Sequence, residues 1–242
     1  MQNHKLAKGL LIAGSLFVLT FILFGIRLRS VFGGSSTQNP QADEAKVLVQ
    51  TFRNDGLRGA AKLKGHYIAD FDPHWDFGRF NIESLTKNSA AVVVGVVGQD
   101  LGGHLTESGK VILTNYEVVI QEVIKGEVLE GTNVIVSLPG GRVQFEDGTT
   151  AELRTPTFEH VKPGGTYTFF LSEVEKSPGT YTLTGGPQGL VELIDSGVVK
   201  SHGRDTDPIA EQTTGKDKDR QSFLMDVREQ AKKWPKKGKC CT

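Results

Sequence analysis

Hydrophobic positions follow three different rules along the chain. The first is an uninterrupted apolar run from Gly9 to Ile26 (GLLIAGSLFVLTFILFGI), with Lys5 and Lys8 before it and Arg27 and Arg29 after it. As a helix it would span roughly 27 Å, close to the hydrocarbon thickness of a bilayer. Twelve of its side chains are Leu, Ile, Val or Phe, each favouring insertion by about 0.3–0.6 kcal/mol near the helix centre. The run therefore predicts one N-terminal transmembrane helix. It is longer than the core of a cleaved signal, about 7–15 residues, and two arginines follow it without an Ala-x-Ala site. An uncleaved signal-anchor is the expectation, with the N-terminus inside and the larger part of the chain outside.

The second rule, a period of two, takes over after Ser89. Ala90 to Val97 (AAVVVGVV) is a β-branched run of strand length. Val111 to Ile124 alternates, with Tyr116, Val118 and Ile120 on one face. Its phase then slips so that Val123 continues the apolar side, which predicts a bulge near Gln121 and Glu122. Asn133 to Leu138 places Val134, Val136 and Leu138 on one face, and Pro139-Gly140-Gly141 turns the chain. Val143 to Leu153 reads as a hairpin about Asp147-Gly148. Thr166 to Leu171, Tyr181 to Thr184 and Leu190 to Ile194 complete the set. Short strands separated by turn residues predict a mainly β fold, either a small antiparallel barrel or a sandwich.

The third rule is helical. Phe223, Leu224, Val227, Ala231 and Trp234 fall on one side of a helix from Arg220 to Lys233, ended by Pro235. Before the strands, Ile82 to Asn88 could make one or two helical turns, and Ala45 to Phe52 a short helix. The expected organisation is thus an anchor at 1–29, a Gly/Ser/Gln-rich tether at 30–44 and a mixed lead-in at 45–81. The β domain at 82–199, a linker at 200–219, an amphipathic helix at 220–234 and a basic tail at 235–242 follow.

Charge changes this picture only locally. The chain of 242 residues carries 28 basic and 28 acidic side chains. Residues 81–200 hold 8 basic against 15 acidic, whereas residues 230–242 hold five lysines and no acid. An acidic β domain makes phosphate binding costly, so no nucleic-acid partner is expected. The basic tail could be a solvated helix end or an attraction to anionic lipid or to an acidic partner. Cys240 and Cys241 are the only cysteines, which leaves no disulfide framework and no cysteine-based metal site.

One succession of motifs resembles a known pattern. Ser89-Ala90-Ala91-Val92-Val93-Val94-Gly95 is followed by Tyr116-x-Val118-x-Ile120-x-x-Val123-Ile124-Lys125-Gly126 and by Leu138-Pro139-Gly140-Gly141. Then come Pro156-x-Phe158, Gly165-x-Tyr167-x-Phe169-x-Leu171 and Gly185-Gly186-x-Gln188-Gly189. The succession resembles that of uncharacterised exported or membrane-tethered bacterial β-domain proteins, which are themselves similar to netrin-like, OB-type barrels. The resemblance covers about residues 82–193 and implies a fold and an envelope location. It implies no catalytic residue. Netrin-like metalloprotease inhibitors work through an N-terminal cysteine that this chain lacks.

Candidate chemistry is sparse. In Asp70-Phe71-Asp72-Pro73-His74-Trp75-Asp76, an extended backbone would point Asp70, Asp72, His74 and Asp76 one way. Those groups could hold a divalent cation, although Pro73 interrupts strand pairing. The scattered His66, His74, His104, His160 and His202 are set in no Gly-x-Ser-x-Gly or His-Glu-x-x-His motif. No catalytic residue and no cofactor follow. The expectation is a non-enzymatic binding or interaction module, single-pass in a bacterial cytoplasmic membrane and facing an unknown protein or envelope ligand. A metal-dependent or hydrolytic enzyme built on the Asp70–Asp76 cluster, or a structural envelope component, are the alternatives.

Overall fold

The first half of strand β2 (Ala91–Leu105) shows why the apolar run at its start does not alternate. Ala91, Val93 and Val97 belong to one buried cluster, and Val92 and Val94 to another on the opposite face. A strand covered on both faces has no polar side to present. In this computed structural model, which describes residues 40–73, 78–175, 177–214 and 219–234, β2 is the centre of the larger sheet. It pairs antiparallel with β3 (Ile112–Lys125) on one edge and with β7 (Thr166–Glu173) on the other. β3 pairs with β4 (Asn133–Pro139), and β4 runs parallel to β8 (Thr180–Leu183). β8 then pairs with the end of β7, Leu171 to Glu173, so the row of ladders returns to the strand it left. The start of β7 takes β9 (Leu190–Leu193) on that same edge, and β9 carries β10 (Val199–Ser201).

The parallel β4–β8 ladder departs from the antiparallel expectation. β8 reverses out of β7 through a tight hairpin, which fixes its direction before it reaches β4. A second sheet is also mixed: β1 (His66–Asp70) runs parallel to β6 (Thr150–Arg154), which pairs antiparallel with β5 (Gly141–Gln144). The mainly β expectation holds.

The irregularities follow from the residues. The register of β2 against β3 steps from Val94–Glu122 to Gly95–Ile120, leaving Gln121 as the bulged residue. The Asp147-Gly148 hairpin is not a two-residue turn. The Gly148 N–H donates to Phe145 O at 3.0 Å, the Phe145 N–H to Thr149 O at 2.9 Å, and Gly148 has φ 81°. That is a type I turn followed by a left-handed glycine, the three-residue alternative.

Helices cover the β2 face opposite the Ala91 cluster. α2 (Ile82–Asn88) starts at Asn81, whose side chain accepts the Ser84 N–H at 2.8 Å while Ser84 Oγ accepts the Asn81 N–H at 2.9 Å. This reciprocal cap satisfies two donors the helix itself cannot. At its end, Lys125 Nζ donates to the carbonyls of Thr86, Lys87 and Ser89 at 2.6, 3.2 and 2.9 Å, placing a cation on the negative end of the helix. α4 (Arg220–Lys233) matches the predicted bounds and buries Phe223, Leu224, Val227 and Ala231. α3 (Pro208–Thr213) lies inside the expected linker. Between helices and sheet, Ile82, Leu85, Phe170, Val191 and Phe223 share one core.

α1 (Pro40–Lys64) is longer than expected and begins inside the segment read as tether. It breaks at Gly56, φ 65° and ψ −153°. There the Leu57 N–H donates to Gly109 O at 2.9 Å, and a Cβ on residue 56 would stand 2.3 Å from the same oxygen. The break lets the second half bury Leu57 and Ala61 against Ile112, Phe145 and Leu153 of the smaller sheet and its neighbours. Among the described residues, no helix is long and apolar enough to cross a membrane. The run from Gly9 to Ile26 and the basic tail 235–242 lie outside the described residues.

Candidate functional site

Of the proposed metal cluster, Asp70 and Asp72 are described, and they have different neighbours. β1 stops at Asp70, and the Phe71 N–H makes the last bond of that ladder, to Arg154 O at 2.8 Å. Pro73 lies in a turn, so the alternation that would align the acids ends there. Asp70 is exposed beside Arg154, whereas Asp72 is tied to Arg204 Nη2 at 2.7 Å and to Thr157 Oγ1 at 2.9 Å. His74 and Asp76 lie outside the described residues. Among the described residues, no group of three or more His, Cys, Asp or Glu could hold a metal ion.

A different set converges where β2, β3, β5 and the β6–β7 connection meet. Asp100 of β2 stands directly opposite Tyr116 of β3 in the ladder, so their side chains share a face. The chain leaves β4 through Pro139-Gly140-Gly141, where Thr114 Oγ1 donates to Gly140 O at 2.7 Å. Gly141 has φ 120°, and a Cβ there would overlap Thr114 Oγ1 at 2.0 Å. Only glycine lets the turn lie this close to β3. Arg142 follows, and His160 closes the far wall with Nε2 at 3.1 Å from Thr155 Oγ1.

These residues bound a groove. A cavity of about 330 Å³ lies over Asp100, Tyr116, Arg142 and His160. A second, of about 580 Å³, shares Gly141, Arg142 and His160 with it and continues past Glu152 and Arg154 to Asp70. Tyr116 is only 6% exposed, its ring sits in the core between the strands, and its hydroxyl has no hydrogen-bond partner among the described residues. Burial first, then the Asp100 carboxylate, push that phenol up to about 12, so it stays protonated. Burial holds His160 below its ordinary value against the opposing pull of Asp100, which keeps the imidazole neutral at pH 7. Its Nδ1 is buried without a partner. Arg142 makes no ion pair among the described residues, while Arg154 is held by Glu152 at 2.7 Å.

Chemically this arrangement can bind. Thr155 and His160 touch as a nucleophile and base would, but no carboxylate or carbonyl holds Nδ1, the third contact such a pair needs. The groove sets acidic, basic and neutral groups side by side: Asp70, Asp100 and Glu152 with Arg142 and Arg154, and Tyr116 and His160 between them. Asp100, Tyr116, Arg142 and His160 come from four segments of the chain, and only the paired glycines at 102–103 and 140–141 hint in the sequence at a close approach there. No protein-family model matches the chain, and no curated protein matches it.

A second histidine sits nearby but is occupied differently. His202 is 6% exposed, edged by the Phe158 and Tyr167 rings at 5.9 Å each. Its Nδ1 lies 3.0 Å from Glu159 O; the carbonyl accepts, so Nδ1 carries the hydrogen. Nε2 is left bare, 3.9 Å from Glu192 Oε2. Burial dominates and takes His202 down to about 4; the Glu159 carbonyl and carboxylate oppose this, and Lys200 and Lys162 reinforce it. The folded-state value lies below the ordinary 6.5, so the unfolded chain binds the extra proton first. Stability is therefore full above pH 6.5 and falls as pH drops towards 4, by at most about 3 kcal/mol. Urea unfolding from pH 8 to 4 checks this: the slope should flatten in His202→Phe and persist in His104→Phe.

Proposed function

We propose that this chain is a membrane-anchored, non-enzymatic binding module, held by the run from Gly9 to Ile26 and presenting its groove outside the cytoplasmic membrane of a bacterium. The returning row β7-β2-β3-β4-β8 is read as a small barrel of the OB or netrin-like kind, in line with the resemblance carried by the VVVG, IKG and YTFFL segments. The observation that carries the binding reading is Tyr116. Its ring is nine-tenths buried and held between strands, while its hydroxyl opens on the groove without a protein partner among the described residues, so a fixed donor and acceptor is offered there to a ligand in place of water. Arg142, opposite Glu152 in the ladder but in no ion pair among the described residues, supports the same reading.

The anchor is tested in cells. The full-length protein should stay in vesicles washed with alkaline carbonate, and a reporter fused after Thr242 should be active only outside. Placing aspartates at Phe17 and Leu19 should release the chain, since each acid costs about 2.5–3.5 kcal/mol at a helix centre and removes a favourable side chain. Recovery of the unaltered chain in the wash, or a reporter active only in the cytoplasm, overturns the reading.

A further inference from the structure

We infer that the groove takes a polyhydroxylated ligand without net charge, a short oligosaccharide strand whose hydroxyls are bonded by Asp100, Tyr116 and Arg142 against a wall formed by His160. The inference rests on the binding reading above and names its ligand class.

Charge decides most of it. A phosphate or carboxylate drawn to Arg142 would also face Asp100, and a cation drawn to Asp100 would face Arg142, because both line the same cavity of about 330 Å³. A hydroxyl suits both at once, since it donates to a carboxylate and accepts from a guanidinium. One Asp100 oxygen already receives the Gly102 N–H at 2.7 Å, which steadies the carboxylate. The phenol of Tyr116 can give or take a hydrogen bond, so it matches a group that does the same, and it has no partner among the described residues. His160 shapes the wall instead, with Nε2 at 3.1 Å from Thr155 Oγ1 and Nδ1 shut away from the groove.

Length decides the rest. Beyond the shared Gly141, Arg142 and His160, the wider part of about 580 Å³ repeats the alternation of sign with Glu152, Arg154 and Asp70. Cavities for small molecules run about 300–1,000 Å³, so either part holds one sugar ring and the continuous groove holds several.

The test is saturation-transfer NMR on the full chain in a detergent without sugar, with three probes: chitotetraose, cellotetraose and the zwitterionic peptide tetraalanine. Transfer to ring protons of a saccharide is expected. Tyr116→Phe should weaken it about three- to tenfold and Arg142→Met tenfold or more, the loss of one neutral and one charged hydrogen bond. Tyr116→Phe should leave the thermal midpoint unchanged, because the lost hydroxyl has no protein partner. Transfer that both variants leave intact overturns the proposal. So does an absence of transfer to either saccharide. In that case, transfer to tetraalanine that Tyr116→Phe abolishes leaves the binding reading standing, and transfer to none of the three removes both.

Discussion

Replacing Phe169 or Phe170 with alanine should each cost about 3–5 kcal/mol, and the two losses should appear in different layers of the molecule. The side chains are neighbours in β7 and are 1% and 0% exposed, but a strand sends them to opposite faces. Phe169 meets Val93, Leu190 and the Tyr167 ring, 5.8 Å away, inside the returning row of strands. Phe170 meets Ile82, Leu85 and Phe223 beneath the helices. A domain of this kind has about 5–15 kcal/mol of stability in all, so either substitution removes a large share. Urea unfolding measures the loss, and amide exchange in the native state locates it. Phe170→Ala should speed exchange chiefly in α2 and α4, and Phe169→Ala chiefly in β3 and β4. Identical exchange patterns would mean that the two clusters unfold as one core and that the layering described above has no energetic counterpart.

That layering also explains what could be read from the sequence. α4 was legible because its apolar stripe, Phe223, Leu224, Val227 and Ala231, is written locally, and α2 because Ile82 to Asn88 is short and lies just before a strand. The caps, Asn81 with Ser84 and Asp219 with Ser222, are what the structure adds. β2 was legible as far as Val97 and then lost. Gly98, Gly102 and Gly103 carry no side-chain pattern, yet the strand continues to Leu105. The expected helix over 45–52 stops well short of Lys64 for the same reason, since Gly56 and Gly59 read as breaks. Gly56 is one, but its conformation lets the next turns dock rather than ending the helix. The β1–β6 ladder, which aligns His66 with Thr150, joins segments too distant for any local period to pair. The groove was invisible on the same grounds, because Asp100, Tyr116, Arg142 and His160 meet only after four strands and a turn are in place. In Asp70–Asp76 the acids are dense along the chain, and there Asp72 is tied to Arg204 and Thr157.

The second large effect is expected at Gln188, in the 3-10 turn Gly186–Gly189. Its Oε1 accepts the Phe80 N–H at 2.8 Å and its Nε2 donates to Gly78 O at 2.7 Å, so one buried amide satisfies two backbone groups from a segment 108 residues away in sequence. That segment also positions its neighbours: Phe80 O accepts the Ile209 N–H at 3.0 Å, and the Ile82 N–H reaches Gln212 Oε1 at 2.8 Å. Gln188→Met keeps the volume and removes both bonds. With about 1–3 kcal/mol for each group left unpaired, a loss of about 3 kcal/mol is expected, together with faster exchange at the Ile209 amide. Gln188→Glu separates hydrogen bonding from packing. Its ionised carboxylate can accept from Phe80 but cannot donate to Gly78, whereas the protonated acid can do both. Burial raises the value at which such an acid ionises, so Gln188→Glu should be less destabilised, relative to the unaltered chain, at pH 5 than at pH 7. His202 is common to both proteins and drops out of that difference. A deficit that did not shrink on acidification would show that the side chain at 188 acts through its shape alone, and the approach of residues 78–82 to the sheet would then need another cause.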